Sequence, residues 1–144
     1  MAIEAQIMAA IVARVQTVPD VVKINSDRII LSTSDFRDYE LPAVQIWDMA
    51  QSISHERARI LVNWSMSIEI VMKSLETGIV DQTTLWDLRR DIQLALWAEP
   101  NLDIPGVVHM IYTGNVTDLH LMEPYYVARI DLDVQFYDDL TGSC

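Results

Sequence analysis

The side chains of this chain that could do chemistry are few and scattered. Its three histidines are His55, His109 and His120, and none belongs to an HExxH zinc motif or pairs with a cysteine. Asp118, His120 and Glu123 could hold one ion only if their segment folded over it, and solvated loop residues are the favoured interpretation. The sequence therefore predicts no metal site.

Acid-base and nucleophilic chemistry have equally thin support. Asp131 and Asp133 lie two residues apart in an alternating segment, a spacing that could bring two carboxylates together for proton transfer. Arg129 and Gln135 share that side, so a solvated strand face is the favoured interpretation. No GxSxG motif frames a serine nucleophile, and none of the four glycines belongs to a GxGxxG or GxxxxGK[ST] motif. We therefore predict a protein with no catalytic residue and no cofactor.

The charge of the chain is strongly negative and unevenly distributed. The formal net charge is −11 at pH 7, and residues 91–144 hold nine acidic side chains against the single Arg129. Proteins that grip a nucleic-acid backbone use lysine and arginine to displace counterions, so this balance argues against a DNA-gripping protein. The acidic C-terminal third is expected to form a solvated surface.

Length and composition favour a single domain. With 144 residues, of which 51% are hydrophobic, the chain can bury a core without a disulfide or structural metal, so we expect residues 1–144 to form one domain. Cys144 is the only cysteine and has no intrachain partner. The N-terminal residues lack the basic start of a signal peptide, and Glu4 and Gln6 interrupt their apolar run. No membrane association is expected.

The clearest structural signal is the alternation of residues 59–73. Strand side chains point to opposite faces at period two, so the pattern predicts a long strand with one buried and one wet face. Its length exceeds the usual strand of about 5–6 residues, so we expect it to project as a ribbon or hairpin. The apolar residues at every second position are Ile60, Val62, Trp64, Met66, Ile68, Ile70 and Met72.

The remaining segments complete the order of elements. Apolar spacing of three and four residues predicts helices at 3–18 and 82–98, the second capped by Asp81 or Thr83. The predicted strands are 21–24, 28–31, 41–47, 107–113 and 126–136, with a turn at 25–27 and loops at 32–40, 48–59 and 114–124. This order predicts an α+β domain, a mostly antiparallel sheet with two helices packed on its apolar face and the other face wet.

Two tryptophans of the second predicted helix are candidates for an interface. Trp86 and Trp97 lie off the helical face that Leu85, Leu88, Ile92 and Leu96 share. One or both are therefore expected to be exposed or to contact a neighbouring chain, unless a wide core face absorbs them. Trp47, beside Asp48 at a strand end, is a comparable candidate.

The order of segments resembles a known family. It runs from an amphipathic helix through PDVVKI, LPAVQIWD, a polar loop and the long alternating strand to the helix DLRRDIQLAL and a last alternating strand with FY near its end. This order is similar to that of the tail terminator proteins of long-tailed bacteriophages, also called tail completion or minor tail proteins. The similarity covers nearly the whole chain, and LPAV is its sharpest motif.

The resemblance implies a non-enzymatic structural protein of the virion, assembled in the bacterial cytoplasm. It implies a homo-oligomeric ring, a hexamer, that caps the head-proximal end of the tail tube, stops tube polymerisation and offers the surface that joins the head. Partners would be the tail tube protein and the head-neck connector proteins. DNA would pass through the lumen without specific binding, and acidic side chains there would repel phosphate.

Ring closure requires two different patches on each subunit that meet head to tail. We expect the polar segment 52–59 to provide one patch or the contact with the tube. Its His55, Arg57 and Arg59 could pair with Asp131 or Asp133 of a neighbour. A segment that orders only on assembly is the plainer alternative.

Two other classes of protein fit the sequence. One is a different head-to-tail connector or neck protein, which would also form a ring but would bind the head. The other is a small ligand-binding or regulatory domain of cellular origin, which would be a fixed monomer or dimer with an apolar pocket.

Overall fold

A five-stranded sheet with two helices forms the fold. The computed structural model describes residues 2–26, 41–57, 59–73, 79–118 and 125–139. Along the chain the elements are α1 (Ile3–Gln16), β1 (Lys23–Asn25), β2 (Ala43–Glu56), β3 (Arg59–Lys73), α2 (Ile79–Trp97), β4 (Val107–Asp118) and β5 (Tyr125–Asp139). In space the strands are ordered β1-β2-β3-β5-β4. Among the described strands, only the pairing of β1 with β2 is parallel.

The long alternating strand is the centre of the sheet. β3 has the predicted bounds, Arg59–Lys73, and pairs along its whole length with β5. On its other side it pairs with β2 from Ala43 to Glu56. Residues directly opposite each other in these pairings point to the same face, so the register places the apolar rows of the three strands on one continuous surface.

The two helices cover that apolar surface. α1 contributes the buried side chains Ile7, Ile11 and Val15, and α2 contributes Leu85, Leu88, Ile92 and Leu96. They pack on the row of β3 and on Ala128, Ile130, Leu132, Val134 and Phe136 of β5. α1 lies beside β1, whereas α2 packs on β5 and β3. The predicted α+β class and the placement of both helices on one face are confirmed.

The predicted loop at 48–59 is wrong. β2 continues through this segment to Glu56, and only residues 57 and 58 separate it from β3. A bulge between Asp48 and Gln51 shifts the register by one residue, after which Ile53 opposes Val62 of β3. Nine consecutive β2 residues from Asp48 are exposed, so no alternation marks the segment as a strand. Its strand form comes from pairing with β3.

The face of the sheet opposite the helices is less exposed to solvent than predicted. Gln45 and Ser67 are only 1% exposed, and Ala43, Val71 and Leu41 form a small apolar cluster there. The polar side chains on this face hydrogen-bond to one another, which lowers the cost of their partial burial. The expectation of a simply wet face is therefore corrected.

Several predicted boundaries differ from the observed ones. Asn25 lies in β1 and not in a turn. Asp81 and Thr83 lie inside α2, so neither caps it. β4 extends to Asp118, through the first part of the loop predicted at 114–124. The predicted strand 28–31 and loop 32–40 lie outside the described residues. No helix within the described residues is long and apolar enough to span a bilayer.

Candidate assembly surfaces

The basic residues proposed from the sequence lie at the end of the β2–β3 hairpin. His55 and Arg57 are exposed, and Arg57 has a φ of 55° where the chain turns out of β2. The Arg59 guanidinium lies 3.8 Å from the centre of the Tyr137 ring on β5. This cation–π contact holds Arg59 against its own sheet. Of the two arginines, Arg57 is therefore the more available to a partner.

The hairpin also carries exposed apolar side chains that no pattern in the sequence marks. Ile53 is 56% exposed and Met49 is 49% exposed. Ile53 lies opposite Val62 on the helix side of the sheet, yet Val62 is buried and Ile53 is not. One isoleucine within a polar run gave no periodic signal. Its significance appears only once the pairing shows which side it faces.

The two long outer strands differ in how their backbone edges are protected. In β4 the Met110 N–H donates to the Pro100 carbonyl at 2.8 Å, and the Met110 carbonyl accepts from Trp97 Nε1 at 3.0 Å. Two register shifts further interrupt this strand. β1 covers β2 only at Ala43, Val44 and Gln45, and no other described strand pairs with its outer edge. Within the described residues, the rest of β2 therefore presents a backbone edge that another chain could cover.

The outer face of α2 forms a second exposed apolar surface. Trp86 is 45% exposed and Leu94 is 58% exposed. Residues eight apart lie on one side of a helix, and Arg90 lies between them. Asp87 and Asp91 flank this stripe, and both are exposed. Leu94 was not singled out from the sequence, since one leucine among several in a helix gives no sign of which side it faces.

Trp97, the other predicted interface tryptophan, has an evident role within the subunit. It is half-buried, donates its hydrogen bond to Met110, and meets the Tyr112 ring edge to face at 5.7 Å between centroids. Gln93 Nε2 donates to the Tyr112 hydroxyl at 2.7 Å. These contacts join the end of α2 to β4. Trp47, also half-buried, lies opposite Ser67 on the polar face of the sheet.

Asp131 and Asp133 are already hydrogen-bonded within the sheet. Asp133 accepts from Asn63 Nδ2 at 2.8 Å and from Ser65 Oγ at 2.9 Å. Asp131 accepts from Ser67 Oγ at 2.7 Å and from Arg129 Nε at 3.0 Å. In this subunit they lie on β5, opposite the middle of β3, and not beside His55 or Arg57, which occupy the hairpin end.

A second polar group continues this face toward β1. Asn25 Nδ2 donates to Gln45 Oε1 at 3.1 Å, and Gln45 Nε2 donates to Glu69 Oε1 at 3.1 Å. Burial raises the pKa of Glu69, while the Gln45 hydrogen bond and the charge of Arg129 partly oppose that effect. Three carboxylates, those of Glu69, Asp131 and Asp133, thus line one face of the sheet.

Metal-ligating side chains do not converge in the described part of the chain. No group of three histidine, cysteine, aspartate or glutamate side chains there could hold an ion. His109 is half-buried in β4. Of the three residues weighed as ligands, Asp118 ends β4, whereas His120 and Glu123 lie outside the described residues.

Comparison with known proteins finds a likeness of fold. No protein-family profile matches the chain, and no curated protein does. Among solved structures, a chain described as belonging to the virion of a native gene transfer agent particle is similar to it with a TM-score of 0.53. The likeness covers 91% of this chain and 94% of that chain, at 6% sequence identity. The two chains therefore share a fold over nearly their whole lengths.

Proposed function

We propose that this protein is a structural component of a phage-like virion, a ring subunit that caps the tail tube and provides the head-joining surface. The observation that carries the proposal is the fold likeness to a virion chain, which extends over almost the full length of both proteins. The order of segments described above supports the finer assignment to a tail terminator. In this role no residue is catalytic, and function depends on the geometry of the surfaces.

The position of the exposed surfaces supports a ring. β2 lies toward one margin of the sheet, whereas β4 forms the other margin, and α2 packs on β5 and β3 and hydrogen-bonds to β4 through Trp97 and Gln93. Two different patches on opposite sides of a subunit are what a head-to-tail ring requires. If the strands run roughly along the ring axis, one face of the sheet lines the lumen and the helices lie outside.

The charge of the polar face is suited to a DNA passage. Glu69, Asp131 and Asp133 all lie on the face without helices. In the proposed ring this face lines the lumen, where carboxylates repel phosphate, so DNA slides without being held. The tail tube protein and the head-neck connector proteins are the proposed partners at the two ends of the ring. The proposed location is the head-proximal end of the tail.

Co-assembly with purified tail tubes tests the proposal. The protein is added to growing tubes, and tube length and end density are measured by electron microscopy. We expect a ring at one end of each tube and an end to growth. Binding to empty portals without binding to tubes would indicate a head-to-tail connector or neck protein. A stable dimer at every concentration, with no binding to either, would favour the ligand-binding domain and contradict the proposal.

The predicted pairing of Arg57 and Arg59 with Asp131 or Asp133 of a neighbouring subunit can be tested in the same assay. Arg57→Glu reverses an exposed charge and leaves the Arg59–Tyr137 contact intact. We expect it to weaken ring formation, and the double change with Arg59→Glu to weaken it further. Unaltered rings and unaltered tail joining with the double variant would exclude this pairing.

A further inference from the structure

The exposed large apolar side chains of the described residues fall on two opposite sides of the subunit. On the β1–β2 side they are Val22, Met49 and Ile53; on the α2–β4 side they are Trp86, Leu94, Val108 and Tyr112. β1 and β2 lie toward one margin of the sheet, while β4 forms the other margin and is joined to α2 by the hydrogen bonds of Trp97 and Gln93. Large apolar side chains that stay exposed in the subunit are candidates for surfaces that a partner covers.

We propose that these two sides contact each other between neighbouring copies of this chain, with Ile53 of one copy, on the helix side of the hairpin, covered by Trp86 and Leu94 of the next. The inference rests on the proposed ring and specifies its interface. A second copy is the fitting partner, because the two patches are different and lie on opposite sides, which is the arrangement that a head-to-tail contact uses to close a ring.

The backbone hydrogen bonding at the two sheet edges is consistent with this contact. The β2 edge is uncovered beyond Gln45 among the described residues, whereas Trp97 and Pro100 occupy the β4 edge at Met110. Addition of β2 directly onto β4 of a neighbour would have to displace those hydrogen bonds. Covering an open edge with a helix is a common solution in natural proteins, and α2 of the neighbour is placed to provide it.

Exposed charges of both signs lie beside the two apolar surfaces. On the hairpin, Arg57 is exposed together with Asp48 and Glu56, and on α2 Asp87 and Asp91 are exposed beside Trp86, with Arg90 between them. Exposed pairs of this kind add little affinity, and their main effect is to favour one orientation of the partner over others. The apolar contacts therefore provide the affinity, and the charges select the register.

A mixing experiment tests the interface. Ile53→Asp disables the hairpin patch and Trp86→Asp disables the helix patch, and both positions are exposed in the free subunit, so folding is retained. Gln16→Glu adds the same charge at an exposed position on α1, a helix that contributes no side chain to the proposed contact, and serves as the control. Circular dichroism verifies the fold, and sedimentation velocity and electron microscopy of capped tail tubes measure assembly.

We expect the unchanged protein and Gln16→Glu to form rings, and each patch variant alone to stay monomeric. An equimolar mixture of Ile53→Asp and Trp86→Asp should give dimers and nothing larger, because each pair can form only one intact contact. Rings formed normally by either variant would overturn the interface and leave the ring function standing. If the unchanged protein neither self-associates nor caps tubes, the ring function itself fails, and the interface with it.

Discussion

Removing the Asp133 carboxylate should destabilise the isolated subunit. In the folded subunit it accepts hydrogen bonds from Asn63 at 2.8 Å and Ser65 at 2.9 Å, and all three side chains are half-buried. A hydrogen bond to a charged group contributes about 1.5–3 kcal/mol when buried. Water can replace part of each bond at a half-exposed site, so we expect Asp133→Ala to lower the free energy of unfolding by about 2 kcal/mol in total.

Urea unfolding of the monomer, followed by tryptophan fluorescence, measures this effect. The midpoint should fall without a change in the m-value, and the melting temperature should fall by about 2–4 °C for each kcal/mol. Asp138→Ala is a matched control, since Asp138 lies on the same strand and is exposed at the hairpin end. It should change stability by less than about 0.5 kcal/mol. Equal stability of the two variants would refute the structural role of Asp133 and return it to the candidates for pairing between subunits.

Three further changes probe other parts of the structure. Burial raises the folded-state pKa of Glu69 above its unfolded value, so this carboxyl favours folding below the unfolded pKa and loses that contribution as pH rises through the folded pKa. Glu69→Gln should therefore raise the melting temperature at neutral pH, with a gain that vanishes in acid; a gain independent of pH would contradict this reasoning. Trp97→Phe removes the hydrogen bond to the Met110 carbonyl and should lower the free energy of unfolding, measured in urea, by about 1 kcal/mol or more. Because the lost bond joins α2 to β4, amide hydrogen exchange should become faster in β4 than in β3. Gly106 has a φ of 93°, and an added methyl group would lie 3.3 Å from a side chain of α1. Gly106→Ala should therefore lower the free energy of unfolding by about 1 kcal/mol or more, whereas Gly114→Ala, with open space around the added methyl, should not. Equal shifts of the melting temperature in the two variants would contradict backbone strain at Gly106.

The central strand could be predicted with its bounds because its pattern is local and complete. From Arg59 to Lys73 every second side chain enters the core, and these positions are apolar, whereas most of the positions between them are polar. The helices and the last strand were found for the same reason, within a few residues at their ends. The spacing of apolar residues shows which side of an element is buried, so elements with one buried side can be predicted from the sequence.

The tertiary structure decided the features on which the proposed assembly depends. The second half of β2 has no alternation because both of its faces are exposed, and only pairing with β3 makes it a strand. Ile53 and Leu94 looked ordinary until the packing showed that nothing in the described subunit covers them, and Asp131 and Asp133 looked solvated until their partners on β3 were placed opposite them. The sequence by itself determined the α+β plan. Which side chains remain exposed on opposite sides of the subunit depends on contacts between residues far apart in the chain, and these arise only when the sheet and helices pack.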